Sequence, residues 1–151
     1  MKVSLWVAGT LIFTTALLAD APGRHPRYLH ARADLWRASS LMEGPDEPSV
    51  QRDFKEAARE VREAIGEIER AAALDRKDMD DHPRVDANLR GKGKFRAIGE
   101  MLWGARRDID QVEDNPRARA GRDRAHEHID KALGIVRRAA HDARFDEEFR
   151  R

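Results

Sequence analysis

The sequence predicts an all-α protein: an antiparallel four-helix bundle built from two similar αα-hairpins, after an N-terminal signal segment. Apolar residues recur at every third or fourth position along four segments, and no segment alternates with the period of two that a strand requires. The motif Leu35-Trp36-Arg37-Ala38 recurs 67 residues later as Leu102-Trp103-Gly104-Ala105. Prolines and glycines interrupt the chain between the segments. These observations indicate four helices in two related pairs.

The N-terminal segment, residues 1–19, is predicted to be an export signal. One basic residue, Lys2, precedes an uncharged apolar stretch, and cleavage is expected after Ala19 or after Ala21. The alternative is an uncleaved N-terminal anchor, because about 17 apolar residues reach the short limit for spanning a bilayer. The remaining residues, 20–151, are predicted to form a single exported domain, located in the periplasm or outside the cell.

The composition excludes several classes of function. The chain has no cysteine, which rules out a disulfide scaffold, thiolate metal sites and a cysteine nucleophile. Once Lys2 is removed with the signal segment, 28 basic and 28 acidic residues remain, so the mature chain is neutral. A neutral chain gives no general reason to bind nucleic acid or an anionic membrane. Neither is therefore expected as a partner.

The two hairpins are predicted at about residues 26–75 and 95–145. Pro26 suits the first turn of the first helix, and Asn115 and Pro116 suit the N-cap and first turn of the fourth. The apolar positions of the first hairpin are Tyr28, Ala31, Leu35, Ala38, Met42, Ala57, Val61, Ala64, Ile65, Ile68, Ala71 and Ala72. Their counterparts 67 or 68 residues later are Phe95, Ile98, Leu102, Ala105, Ile109, Ala125, Ile129, Ala132, Leu133, Val136, Ala139 and Ala140. This shared register predicts an internal duplication.

The polar segment between the hairpins, about residues 76–94, is predicted to be a flexible linker on the surface. It ends in the basic, glycine-containing run Arg90-Gly91-Lys92-Gly93-Lys94. The last residues, 145–151, are expected to fray, as chain termini commonly do.

Histidines are the first candidates for a metal or haem site in a helical bundle. Two ligands on one helix normally lie three or four residues apart, and none of the six histidines has a partner at that spacing. His126 and His128 are two residues apart and point in different directions. His30 and His126 flank the apolar positions and could approach each other across the bundle. They are retained as weak metal candidates, and no cofactor is expected.

An acidic segment in the linker offers a second weak metal candidate. Asp78, Asp80 and Asp81 lie close together, as carboxylate ligands of calcium often do. An EF-hand loop that begins at Asp78 would need glycine at its sixth position and glutamate at its twelfth, where this chain has Pro83 and Leu89. The segment is better explained as a charged helix end followed by a turn.

Trp36 and Trp103 occupy equivalent positions in the two hairpins. The structural interpretation makes both indoles fill the widest layer of the core or shield its edge, and the functional interpretation makes them walls of a small apolar pocket. No catalytic residues are predicted, because the serines lack a strand–turn–helix context and no glycine loop suits a phosphate.

A resemblance covers most of the mature chain. The segment His25-Pro-Arg-Tyr28-Leu-His30-Ala-Arg-Ala-Asp34-Leu-Trp36-Arg-Ala38 resembles a group of small exported bacterial proteins whose first helix begins with the pattern HPxYLHALxDLxxA. Residues 64–68, 77–83 and 128–133 are similar to later segments of that group. Arg32 departs from the pattern, which commonly has leucine there. The resemblance implies an exported all-helical protein and no particular activity.

These observations lead to two expectations about function. The first is a non-enzymatic exported helical bundle that binds a protein or another component of the cell envelope. The alternative is a bundle that binds a small ligand or a metal ion in the layer formed by the tryptophans and histidines.

Overall fold

The computed structural model describes residues 26–74, 89–110 and 115–145, which form four α-helices and no strand. The helices are α1 (Pro26–Glu43), α2 (Pro48–Leu74), α3 (Gly91–Ile109) and α4 (Pro116–Asp142). The predicted all-α four-helix bundle is therefore confirmed. The signal segment predicted for residues 1–19, with its two cleavage points, lies outside the described residues.

Proline marks the start of three of the helices. Pro26, Pro48 and Pro116 each stand at the first helical position, where the missing N–H has no intrahelical partner to lose. The side chain of Asn115 accepts a hydrogen bond from the backbone N–H of Arg117 at 3.0 Å, which caps α4. The helix starts predicted at residues 26 and 116 are thus confirmed.

The predicted linker of about residues 76–94 is too long at its C-terminal end, because α3 already begins at Gly91. Gly91 has a φ of +51°, a left-handed conformation that glycine adopts without steric cost. Lys94 is 1% exposed instead of lying on a flexible surface. Tertiary contacts of Lys94 with the α1–α2 turn outweigh the low helix propensity of the two glycines.

The four helices form a square in which every neighbouring pair is antiparallel. The neighbours are α1 and α2, α2 and α4, α4 and α3, and α3 and α1. Lys94, at the start of α3, bonds to the carbonyl oxygen of Gly44, just after the end of α1. Glu56, near the start of α2, bonds to Arg138 near the end of α4. Consequently α2 ends and α3 begins at opposite ends of the bundle.

The core confirms the predicted similarity of the two hairpins. Each of the twelve predicted pairs of apolar positions is buried in both hairpins, at 5% exposure or less. The register also fits a two-fold relation between them. Asp34 lies beside Gly104, and Gly44 lies beside Lys94. The midpoint of the antiparallel contact between α1 and α3 is therefore near Leu35 and Leu102. A two-fold axis through that point would exchange residues 67 positions apart.

Helices α2 and α4 pack closely through small residues. Alanines recur every seventh residue on both helices, and all of them are at most 1% exposed: Ala57, Ala64, Ala71, Ala118, Ala125, Ala132 and Ala139. A Cβ added at Gly121 would lie 3.3 Å from the Ala71 Cβ and 3.3 Å from the Glu67 carbonyl oxygen. Small side chains permit a short interaxial distance.

The C-terminal prediction needs one correction. Phe145, expected to fray, packs its ring edge-on against Phe95, with centroids 5.6 Å apart. An aromatic ring that covers the start of α3 gains burial that a polar terminal residue would not. Residues 146–151 lie outside the described residues. Among the described helices, none combines the length and the apolar composition that a membrane crossing requires.

Candidate functional site

Trp36 and Trp103 lie at the same level of the bundle but on opposite sides of it. Trp36 stands one turn after Arg32, whose side chain bonds to Glu69 of α2, so Trp36 faces the groove between α1 and α2. Trp103 stands one turn before Arg106, which bonds to Asp130 of α4, so Trp103 faces the groove between α3 and α4. The two indoles therefore cannot wall one pocket.

The two tryptophans also differ in burial. Trp36 is 39% exposed and is the one large hydrophobic residue that is exposed in the described part of the chain. Trp103 is partly buried and packs against the core. The exposure of Trp36 therefore contradicts a core-filling role for that ring and is compatible only with a place at the edge of the core. A stripe of apolar residues three and four apart does not include position 36, which lies about 100° from Leu35 around the helix.

The two histidines that were expected to approach each other are on diagonally opposite helices. His30 is exposed on α1, and His126 is partly buried on α4. The Nε2 atom of His126 lies 3.6 Å from a carboxylate oxygen of Asp110, the residue that follows α3. Within residues 26–74, 89–110 and 115–145, no group of three potential metal ligands comes together. The other metal candidates, Asp78, Asp80 and Asp81, lie outside these ranges.

The environments of His126 and Asp34 both favour the neutral form. Burial, followed by the positive charge of Arg106, lowers the pKa of His126, and the nearby Asp110 only partly opposes this. Burial also raises the pKa of Asp34, an effect that Asp108 reinforces and the bond from Arg37 opposes. These two partly desolvated groups are apart: His126 lies near the end of α3, whereas Asp34 lies beside Gly104 in the middle of the bundle.

The least expected feature is a lysine buried at the other end of the bundle. The Nζ atom of Lys94 lies 2.8 Å from a carboxylate oxygen of Asp46 and 3.3 Å from the Gly44 carbonyl oxygen. The same atom lies 5.0 Å from the centroid of the Phe54 ring, and that ring is 5.0 Å from the ring of Phe95. The ammonium group is therefore fully coordinated by the α1–α2 turn and an aromatic face.

Charged pairs cross the outer edge of the α2–α4 contact. Glu67 accepts hydrogen bonds from Arg124 at 2.8 Å and lies 2.7 Å from Arg70, and these bonds lower its pKa to about 2. The His128 ring bonds to Glu60 at 2.9 Å, which lowers the pKa of that carboxyl. All of the acidic partners are on α2, and the cross-helix cations are on α4.

These pairs were not predicted, because the sequence contains only part of the signal for them. The acidic residues of α2 recur at helical spacing, at positions 53, 56, 60, 63 and 67. That spacing predicts an acidic edge on α2, but the partner helix is set by the packing. No sequence pattern marks Lys94 as buried, because a lysine that follows the run Gly91-Lys92-Gly93 is typical of an exposed loop.

The buried polar groups are used within the fold. In the described part of the chain, no buried side-chain nitrogen or oxygen lacks a hydrogen-bond partner. A catalytic group commonly has a shifted pKa and lies in a cleft. Each buried ion described above is instead bound by a neighbouring residue. The features that face outward are Trp36 and the surface charges.

Comparisons with known proteins identify no relative. A scan against protein-family models gave no match, and searches of the curated proteins and of the solved structures gave no significant match either.

Proposed function

We propose that this chain is an exported, non-enzymatic helical bundle that binds a protein or another component of the cell envelope. The observation that carries the proposal is the exposure of Trp36 on the α1–α2 groove. Tryptophan is enriched among the residues that dominate binding energy at protein interfaces. The proposal includes neither nucleic acid nor a membrane as the partner of the folded domain.

The surroundings of Trp36 support a contact surface at this place. The neighbouring Arg32 is 6% exposed and is held by Glu69 at 2.8 Å, so the groove floor is rigid and polar. Ser40, one turn later, donates a hydrogen bond to the Trp36 carbonyl oxygen at 3.0 Å. An exposed indole on a rigid floor loses little conformational entropy when it is covered by a partner.

Export is the second part of the proposal, and the sequence of residues 1–19 supports it. Mass spectrometry of the natively expressed protein should find an N-terminus at Asp20 or at Pro22. An intact Met1 in the membrane fraction would establish the uncleaved anchor instead.

Site-specific photo-crosslinking in the native cells tests the binding. A benzophenone side chain placed at Trp36 should give a discrete adduct with an envelope component. The same group placed at Lys55, which is exposed on α2, serves as the control. Equal adduct patterns from both positions, or none from position 36, would refute the proposed surface.

A further inference from the structure

The mature chain is neutral, but its two hairpins differ strongly in net charge. Residues 26–74 carry eight Lys and Arg against ten Asp and Glu, a net charge of −2. Residues 89–145 carry 14 Lys and Arg against nine Asp and Glu, a net charge of +5. The overall balance of charge therefore says little about what each side of the molecule attracts.

Part of the positive charge of the second hairpin is neutralised by the first. Three of its cations bond to acidic residues of the first hairpin: Lys94 to Asp46, Arg124 to Glu67, and Arg138 to Glu56. These bonds lie at the end of the bundle and along the α2–α4 edge. With these three cations paired, 11 Lys and Arg remain against nine Asp and Glu in residues 89–145, a net charge of +2.

Three cations on the α3–α4 side form what we call the α3–α4 basic face: Lys92, Arg107 and Arg137. All three are exposed. Within the described ranges, none has a carboxylate at ion-pairing distance. The Nζ atom of Lys92 lies 6.0 Å from the ring centroid of Phe145. Some surface cations elsewhere on the bundle, such as Arg62, have such a partner.

Helical geometry places the basic face around Trp103. Lys92 stands three turns before Trp103 and Arg107 one turn after it, so the three residues share one side of α3. Arg137 stands two turns after Asp130, whose carboxylate bonds to Arg106 of α3. All three cations therefore border the groove between α3 and α4, with the partly buried indole of Trp103 between them.

We propose that the α3–α4 basic face binds an acidic segment of a partner protein, with Trp103 contacting an apolar side chain of that segment. Arginine and tryptophan are the residues most often responsible for binding energy at protein interfaces. Complementary charge speeds the encounter and fixes the orientation of the partner.

The surface fits a protein segment better than a membrane or a nucleic acid. Helices that lie on membranes insert large apolar side chains, and the described part of α3 and α4 exposes none. Binding of single-stranded nucleic acid uses several exposed aromatic rings as stacking platforms, and the two rings beside this groove, Trp103 and Phe145, are both partly buried. The inference goes beyond the proposed function, because Trp36 lies on the opposite side of the bundle.

Fluorescence anisotropy with a labelled synthetic peptide tests the inference on the intact mature chain. The probe is a twelve-residue peptide of alternating Glu and Gly with one central Leu, and the comparison peptide has Lys in place of Glu. We expect saturable binding of the acidic probe only. Its affinity should fall by about fivefold or more between low salt and physiological salt, because exposed charges are screened over about 8 Å at 0.15 M.

Two double variants with equal changes of charge make the test specific. Arg107→Glu with Arg137→Glu should weaken binding of the acidic probe by about tenfold or more, since it reverses two of the three cations. Arg52→Glu with Lys55→Glu, on exposed positions of α2, should change it by less than about twofold. Circular dichroism should show unchanged helicity, because the structure gives Arg107 and Arg137 no ion pair to lose.

The outcomes separate this inference from the proposed function. No binding of the acidic probe, or equal weakening by the two double variants, would overturn it. Tighter binding to phosphatidylglycerol vesicles or to single-stranded DNA through the same arginines would also overturn it, in favour of that other partner. Trp36→Ala should leave probe binding unchanged, so crosslinking from position 36 stands or fails independently.

Discussion

The buried pair of Lys94 and Asp46 should respond asymmetrically to mutation. Lys94 is 1% exposed, and among the described residues its ammonium group has three neighbours that favour positive charge: the Asp46 carboxylate at 2.8 Å, the Gly44 carbonyl oxygen at 3.3 Å and the Phe54 ring. Asp46→Ala removes the only negative charge among them and leaves a buried cation. Breaking a buried pair in this way costs about 3–5 kcal/mol. Because the Asp46 side chain is 16% exposed, water can partly replace it, and we expect about 3 kcal/mol.

The second substitution identifies the source of that cost. Adding Lys94→Met to Asp46→Ala removes the buried charge and keeps most of the side-chain volume, so about 2 kcal/mol or more should be recovered. The assay is urea unfolding followed by circular dichroism at 222 nm for the wild type, both single variants and the double variant. Glu47→Ala, at the exposed neighbouring position, is the control and should cost under about 0.5 kcal/mol.

If Asp46→Ala costs no more than the Glu47→Ala control, Lys94 is not buried as the structure describes. If the double variant is as unstable as Asp46→Ala alone, the cost comes from the α1–α2 turn and not from an uncompensated charge.

Three further predictions concern packing and charge. Gly121→Ala should destabilise the bundle by about 1–3 kcal/mol, because the added methyl group would lie 3.3 Å from the Glu67 carbonyl oxygen and from the Ala71 Cβ on α2. Gly134→Ala meets nothing within 4 Å and should stabilise the bundle by about 0.5–1 kcal/mol. Thermal melts of the two variants that coincide would refute the close α2–α4 packing. Glu67→Gln should cost about 1–2 kcal/mol at pH 7. The pKa of Glu67 is about 2 in the folded state and 4.5 ordinarily, so this stabilisation is present above pH 4.5 and is lost as the pH falls towards 2. Unfolding curves that show an equal cost of Glu67→Gln at pH 7 and at pH 2 would contradict the lowered pKa of Glu67. Leu102→Ala should cost about 2–5 kcal/mol and Trp36→Ala about 1 kcal/mol or less, and equal costs in urea unfolding would show that Trp36 belongs to the core.

Local signals were enough to predict the helices and their buried faces. A helix buries whichever side carries apolar residues at a spacing of three and four, and this holds for Leu35 and Leu102 without knowledge of their neighbours. The prolines at positions 26 and 116 also act locally, because a missing N–H matters only to the first helical turn. The similarity of the two hairpins could also be predicted locally, because it depends on the repeated spacing of the apolar residues.

The sequence by itself determined the fold class, the helix faces and the likeness of the hairpins, because each depends on residues within one or two helical turns. Only the tertiary structure decided which helices are neighbours, and the features of the candidate sites depend on that choice. The square of antiparallel helices separates Trp36 from Trp103 and His30 from His126, although each pair could have met under another arrangement. It also draws Lys94 towards Asp46, 48 residues away, and aligns the acidic edge of α2 with the cations of α4. Charge pairing between distant segments depends on distance in space, which no local pattern encodes.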